Sequence, residues 1–359
     1  DLSEMHLAYY TFSNANKSKA FGNLSGNFSN IMLHGGNSFF PAALYSRLDG
    51  PVLETELPYS TTAPAITTPE SYTQILRLKD VYYMTMSKNP DTVNQSDAQR
   101  KVIKQRILDN GAVVANYYHR DDDYNNSANG TAYYNKTTGT TNHAVLLIGW
   151  DDNFSNSNFK INPGMNGAWL VKNSWGTSWG SSGGYFWLSY ANYLNEGSAF
   201  IVEQANPDLK AYYYDALGWC SLWGYPGASM YAANAFKATR DDEKLIEVGL
   251  YTPDNNMGYE IYIYTGLGTS MPSNPTGGTR SATLTGTIPY AGYHTIALDN
   301  PISLTKNQYF SVVVKYNGQN MIPVEMKINS FSDNFACESG SFFSRNGTDW
   351  TAGNDKNAT

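Results

Sequence analysis

The stretches NHAVLLIGWDD (142–152) and GAWLVKNSWGTSWG (167–180) bring a histidine, an asparagine and two tryptophans into positions where they can share one site. Catalysis by a cysteine or serine nucleophile needs a base beside the nucleophile and a third group that fixes the tautomer and orientation of that base. His143 and Asn173 are candidates for the base and its orienting partner. If GAWLVKNSW is a strand, Trp169, Val171 and Asn173 share one face, and Asn173 ends a buried column facing a neighbouring strand that begins at His143. An indole at Trp175 packed over the pair would exclude water and strengthen the hydrogen bond between them. Singly, each residue has a plainer reading: a strand His held for structure, a buried Asn satisfying backbone groups, and Trp175 and Trp179 as packing aromatics.

The nucleophile is not among these residues. The only cysteines are Cys220 and Cys337, both in the C-terminal part, and neither has a His, Lys or Arg beside it in sequence to favour a thiolate. A bridge between them would close a long loop and stabilise that part by ~4 kcal/mol. Two buried thiols are the other reading.

The elements that must hold such a site can be read in outline. Residues 1 to about 90 mix short helical and irregular stretches, with a helix expected over 37–48 and Pro41 tolerated only near its first turn. A firmer helix spans 96–110: Ser96 can cap it, Ile103 and Ile107 lie one turn apart, and Asn110-Gly111 suits a left-handed stop. Strands follow at 112–118, 143–150, 167–175 and 184–190. After Asn206-Pro207 the chain changes to short strands between turns, at 210–217, 230–238, 244–252, 259–266, 282–290, 293–299, 308–316 and 321–327, the pattern of an antiparallel sandwich. Within it, Glu260-Ile261-Tyr262-Ile263-Tyr264 alternates, putting isoleucines on a core face and tyrosines on the other.

Composition narrows the function classes. The chain has 359 residues, long enough for two domains with separate cores. Charged residues are 15% and the net charge is −7, which argues against nucleic acid as a partner. The longest purely apolar run, Ala144 to Ile148, is far short of the ~20 residues of a membrane helix. Asp1-Leu2-Ser3 lacks the layout of a signal peptide, and the chain reads as beginning within a longer protein. Asn-x-Ser/Thr sequons at Asn16, Asn23, Asn27, Asn94, Asn125, Asn129, Asn135, Asn153, Asn346 and Asn357, in a Tyr-rich, Lys-poor chain, lead us to expect an extracellular or cell-surface protein. No cofactor or metal site is expected.

Taken together, the two opening stretches closely resemble the His and Asn segments of papain-like cysteine peptidases. The resemblance implies His143 as catalytic base, Asn173 as its orienting residue, Trp175 as the shielding indole that also borders the primed side of the cleft, and Trp179 as its companion. His34-Gly35-Gly36-Asn37 is similar to the family's Gly-Gly segment, in which Gly35 and Gly36 bring backbone close to an extended substrate. By the same comparison Asn142 and Ala115 line the pocket for the residue two before the scissile bond. Asp1-Leu2-Ser3-Glu4 resembles a stretch that follows the family's active-site cysteine, so the nucleophile and the Gln of the oxyanion hole are expected upstream of Asp1, on an N-terminal segment or fragment. The segment between His143 and Asn173 is longer than in papain, with a polar insertion, and the absence of cysteines from this half is more similar to prokaryotic members. The C-terminal half resembles the bacterial and archaeal subset with a lectin-like domain.

The expected fold is therefore α+β: a papain-like two-lobed unit over 1–206, with a helical and a β-barrel-like lobe, then an all-β jelly-roll-like sandwich over 207–359. The implied partner is a protein or peptide substrate, with carbohydrate as a further candidate at exposed aromatics such as Trp219 and Trp223 in the sandwich. The competing reading is a non-catalytic surface protein on a peptidase-like scaffold.

Overall fold

The computed structural model describes residues 1–12, 35–65, 71–86, 95–225, 229–326 and 339–353. His34, Cys337 and the sequons at Asn16, Asn23, Asn27, Asn94 and Asn357 lie outside them, and with Cys337 the expected bridge to Cys220. The α-helices among the described residues are α1 (Glu4–Phe12), α2 (Phe39–Ser46) and α3 (Asp97–Asn110). The boundaries of α3 follow from its caps. Ser96 Oγ accepts from the Gln99 backbone N–H at 3.2 Å while the Ser96 N–H donates to Gln99 Oε1 at 2.9 Å, a reciprocal box that satisfies two orphan donors. Gly111 ends the helix at φ 85°, a conformation that costs glycine little. Ile103 and Ile107 are buried, and α3 packs on the strands that carry the site.

The chain divides into two compact units, Val81–Ile201 on the one hand and Asp1–Asp80 with Val202–Thr359 on the other. The strands in chain order begin with β1 (Leu76–Thr85), β2 (Val113–Tyr117), β3 (Tyr124–Ser127), β4 (Gly130–Tyr133), β5 (His143–Asp151), β6 (Ala168–Lys172), β7 (Tyr185–Ser189) and β8 (Leu194–Gln204). In the unit Val81–Ile201 they run β1-β8-β2-β5-β6-β7-β4-β3, with β2, β5, β6 and β7 antiparallel in succession. The sheet stops at β3 and does not close into the barrel-like lobe expected: β4 joins β7 through only the pairs Ala132↔Trp187 and Tyr133↔Leu188, and β3 is a four-residue edge. Trp169, Tyr117, Tyr133, Phe186, Leu147 and Leu188 are fully buried at its centre. The Trp169 indole N–H donates to Gln95 Oε1 at 3.0 Å, so the largest buried ring leaves no donor unpaired.

The other unit continues with β9 (Ser221–Gly224), β10 (Met230–Lys237), β11 (Lys244–Thr252), β12 (Met257–Thr265), β13 (Thr279–Ile288), β14 (Gly292–Ser303), β15 (Tyr309–Asn317), β16 (Met321–Val324), β17 (Ser341–Ser344) and β18 (Thr351–Ala352). Six strands form an antiparallel sheet ordered β13-β12-β15-β10-β17-β18, while β11 pairs with β14 and β9 with β16. Ile261 and Ile263 of β12, Val314 of β15 and Met230 of β10 meet Val248 and Leu250 of β11 and Leu298 of β14 in one core, which makes this the expected sandwich. The alternation in β12 is as read: Ile261 and Ile263 are fully buried, and Tyr262 and Tyr264 lie on the opposite face with Ala233, Val313 and Phe342.

One expected strand is absent. Residues 210–217 are irregular, because their tyrosines bind through side chains instead of a backbone ladder: Tyr212 Oη donates to Glu243 at 2.6 Å, and Tyr214 Oη donates to the Ala235 carbonyl at 2.8 Å with its ring stacked on Phe236 at 4.9 Å. Strands β1 and β8 went unread, β1 because its charged residues mask the pattern; Arg77 there pairs with Glu203 and Glu247. Trp219 and Trp223 are packing aromatics, Trp219 edge-on to Phe39 at 5.5 Å and Trp223 against Phe343 at 4.8 Å. Among the described sequons, Asn135 is buried with its amide bonded to Asp123, whereas Asn129 and Asn153 are exposed.

The two faces of β12 and its neighbour make a direct test. Ile263→Ala is expected to destabilise the sandwich by ~2–5 kcal/mol in urea unfolding. Thr283→Ala, on the exposed face of β13, should stay within ~0.5 kcal/mol of the parent. Equal losses would mean that the buried face has been misplaced.

Candidate functional site

The site forms where two core-facing columns of the unit Val81–Ile201 run out. On β5, Leu147, Val145 and His143 share the inner face; on β6, Trp169 and Val171 do so, and Asn173 follows one residue beyond the strand. Pairing of Leu147 with Val171 and Leu146 with Lys172 brings the column ends together. His143 Nε2 and Asn173 Oδ1 are 2.9 Å apart. The Ser174 backbone N–H also donates to Oδ1 at 2.9 Å, which identifies that atom as the acceptor and therefore puts the shared proton on Nε2 of His143. Nδ1 of His143 is left as the nitrogen able to take a proton from a reacting group.

Asn173 is buried, and its Nδ2 has no hydrogen-bond partner among the described residues. A buried asparagine kept for structure would be expected to use both ends of its amide on backbone groups. Here the oxygen serves the imidazole. The turn after β6 holds the amide in place: the Asn173 N–H donates to the Gly184 carbonyl at 3.0 Å, and Gly184 has φ 91° with the Gly176 carbonyl oxygen only 2.8 Å from where a Cβ would stand.

Trp175 stacks on His143 with centroids 4.8 Å apart and planes at 22°, and Trp179 meets Trp175 edge-on at 5.0 Å. Trp179 is itself wedged on Tyr124 and Phe186. The imidazole is thus covered on one face, and burial holds its basicity below the ordinary histidine range. The Asn173 bond opposes that lowering, and the charge of a second histidine, His119, adds to it. An imidazole neutral near pH 7, with one nitrogen tethered and the other available, is equipped for general acid and base work once a proton donor stands beside Nδ1.

The structure brings together His143, Asn173, Trp175 and Trp179. Asn142 is exposed, but both ends of its amide are engaged: Oδ1 accepts from the His119 N–H at 2.6 Å and Nδ2 donates to the His119 carbonyl at 3.1 Å. Ala115 has no exposed surface and packs in the core of this unit, so a direct contact with substrate does not follow from this arrangement. Gly35 and Gly36 lie in the other unit, both exposed, directly before α2; Gly35 takes the left-handed φ of 77°, and a Cβ on Gly36 would meet only the Phe40 ring at 3.5 Å. Sequence reasoning missed His119. Its signal was the Tyr-Tyr-His end of the run AVVANYYH, which pairing with β5 sets beside His143. Among the described residues no group of three or more His, Cys, Asp or Glu could hold a metal ion, and no helix is long and apolar enough to cross a membrane.

Residues 35–202 match the papain family cysteine protease and residues 211–359 the lectin like domain. Comparison with curated proteins gives no match. Among solved structures, the chain is similar to a Cys-to-Ala form of the clostridial cysteine protease Cwp84 after propeptide cleavage, with 26% identity, 98% of this chain and 84% of that one covered, and a TM-score of 0.77. It is also similar to the cysteine protease and lectin-like domains of Cwp84, a surface layer associated protein of Clostridium difficile, with 25% identity, 98% and 75% coverage, and a TM-score of 0.75.

The direction of the His143 shift fixes a pH effect. The unfolded chain takes up this proton nearer the ordinary value of 6.5 than the folded chain does, so stability is full above that value and falls as pH drops through it toward the lower folded one. Thermal unfolding followed between about pH 8 and pH 5 should therefore decline less steeply for His143→Gln than for the parent. Parallel curves would contradict a buried neutral imidazole.

Proposed function

Because this chain joins a papain-family peptidase domain to a lectin-like domain, we propose that the protein is a cysteine endopeptidase that hydrolyses peptide bonds by a Cys-His-Asn mechanism. The observation that carries this reading is the 2.9 Å bond between His143 and Asn173 beneath Trp175, which leaves Nδ1 for a thiol. The sulfur we assign to a cysteine outside residues 1–359, since Cys220 and Cys337 both fall in the stretch that matches the lectin-like domain. We take 1–206 as the peptidase domain and 207–359 as the sandwich.

In this mechanism His143 accepts the thiol proton on Nδ1, and the resulting thiolate attacks the peptide carbonyl carbon. The imidazolium then returns the proton to the leaving amine, and a thioester is left on the enzyme. Water, deprotonated by the same imidazole, cleaves the thioester and restores the thiol. Asn173 holds the ring in one tautomer through both steps, as a third group must. Trp175 keeps that bond out of water, and the exposed backbone at Gly35 and Gly36 is suited to an extended peptide. With Cwp84 described as surface layer associated, we place the protein outside the cell or at its surface. Carbohydrate at the sandwich is not supported by Trp219 or Trp223, whose rings are packed on neighbours.

The test is a comparison on a peptide library of residues 1–359 with a form that also carries the upstream cysteine segment. Hydrolysis is expected only in the second and should be abolished by a thiol-alkylating reagent. His143→Ala in the complete form should lower kcat/KM by about 10²–10⁴-fold, and Asn173→Ala should lower kcat more than it raises KM. Activity in residues 1–359 alone, or an unaffected His143→Ala, would sink the mechanism. An inactive complete protein with its cysteine in place would point to a binding module on the peptidase scaffold.

A further inference from the structure

A second imidazole stands beside the first. The His119 ring lies 5.6 Å from the His143 ring and meets the Trp175 indole edge-on at 4.8 Å, so one indole contacts both histidines. This placement is built in. Strand β2 pairs with β5 up to Tyr117↔His143, and beyond that point the Asn142 side chain takes over the ladder, bonding both the N–H and the carbonyl of His119. The backbone of His119 is thereby fixed to the residue that precedes His143.

The His119 ring is fixed as well. Nε2 lies 3.2 Å from Asp121 Oδ1 and Nδ1 lies 3.3 Å from the Tyr124 hydroxyl, which in turn is bonded to the Tyr117 hydroxyl. With a proton on Nε2 the ring faces the Asp121 carboxylate favourably, and the Tyr124 hydroxyl then donates to Nδ1. When His119 takes a second proton, Tyr124 must turn to donate toward Tyr117. Burial holds both phenols protonated, so neither can neutralise that charge. The charged groups on this segment are Asp121, whose side chain is 93% exposed, and Arg120 with Asp122 and Asp123, toward which it reaches. Around His143 itself stand neutral groups, Asn173, Trp175 and the Tyr117 ring, together with His119.

We propose that His119 is a positioning residue for the His143–Asn173 pair, bracing Trp175 over the imidazole and coupling its own charge to that of His143. The proposal rests on the reading of His143 as the base. Its consequence for that chemistry is a working imidazole that senses a neighbour's protonation, so that acid conditions disfavour the imidazolium through a like charge as well as through burial.

The experiment is an NMR titration of the imidazole nitrogens in residues 1–359, a chain with five histidines. In the parent, His143 is expected to show its proton on Nε2 and a midpoint below the ordinary histidine value. In His119→Phe, which keeps a ring against Trp175, the His143 midpoint should move up. His119→Gln should give the same upward movement and also weaken the ring-current shift that Trp175 imposes on His143. A His143 midpoint unmoved in both variants, or a Trp175 ring-current shift unchanged in His119→Gln, would overturn the proposal. The parent measurement needs no variant to fold. None of these signals depends on hydrolysis: coupled imidazoles in an inactive complete protein would remove the peptidase reading and leave the pairing intact, while independent imidazoles in an active enzyme would do the reverse.

Discussion

The hydrogen bond from His143 to Asn173 depends on strand register more than on any local feature of either residue. His143 opens β5 and Asn173 follows β6, and they meet because Leu147 pairs with Val171 across the sheet. A slip of one residue would turn His143 outward and bring Ala144 into the column, since side chains alternate with a period of two. What resists that slip is the core face itself. Val145 and Leu147 on one strand and Trp169 and Val171 on the other are all nearly or fully buried. Apolar packing deep in the sheet therefore sets the geometry of a polar pair at its end.

The aromatic residues around the pair act on its strength. Trp175 covers His143, Trp179 supports Trp175, and Tyr124 and Phe186 support Trp179, so the indole over the imidazole rests on side chains from two strands and a turn. In such surroundings the bond to Asn173 gains electrostatic strength, and a bare imidazolium becomes costlier. The two effects pull His143 in opposite directions, and burial dominates. A thiolate beside Nδ1 would reverse the balance by offering the cation a counter-charge. An imidazole poised in this way is a weak base alone and a strong partner in an ion pair.

How much could be read from sequence varied with how local the cause was. The caps of α3, the strand at His143 and the alternation of β12 rest on neighbouring residues, and each emerged close to its expected place. Strands β1 and β8 did not. Their charged positions are satisfied by partners far along the chain, as Arg77 is by Glu247, and no window of sequence contains both halves of that pair. The stretch 210–217 misled for the opposite reason: its run of tyrosines has strand character, yet hydroxyl bonds to Glu243 and Ala235 hold it without a ladder. His119 was invisible because its relation to His143 passes through a side chain that stands in for backbone.

That side chain, Asn142, shows where a motif stops being informative. Its position next to the histidine is what the comparison of short sequences transfers, and the structure agrees with the position. The role is decided by where the amide's donors and acceptor are used. With both ends of that amide spent on the His119 backbone, Asn142 contributes to the site by extending the pairing of β2 and β5 through one more residue. A change that broke these two hydrogen bonds, each worth about 0.5–1.5 kcal/mol, would release His119 from its place beside Trp175. Shape around this site and proton chemistry within it are thus coupled through one asparagine.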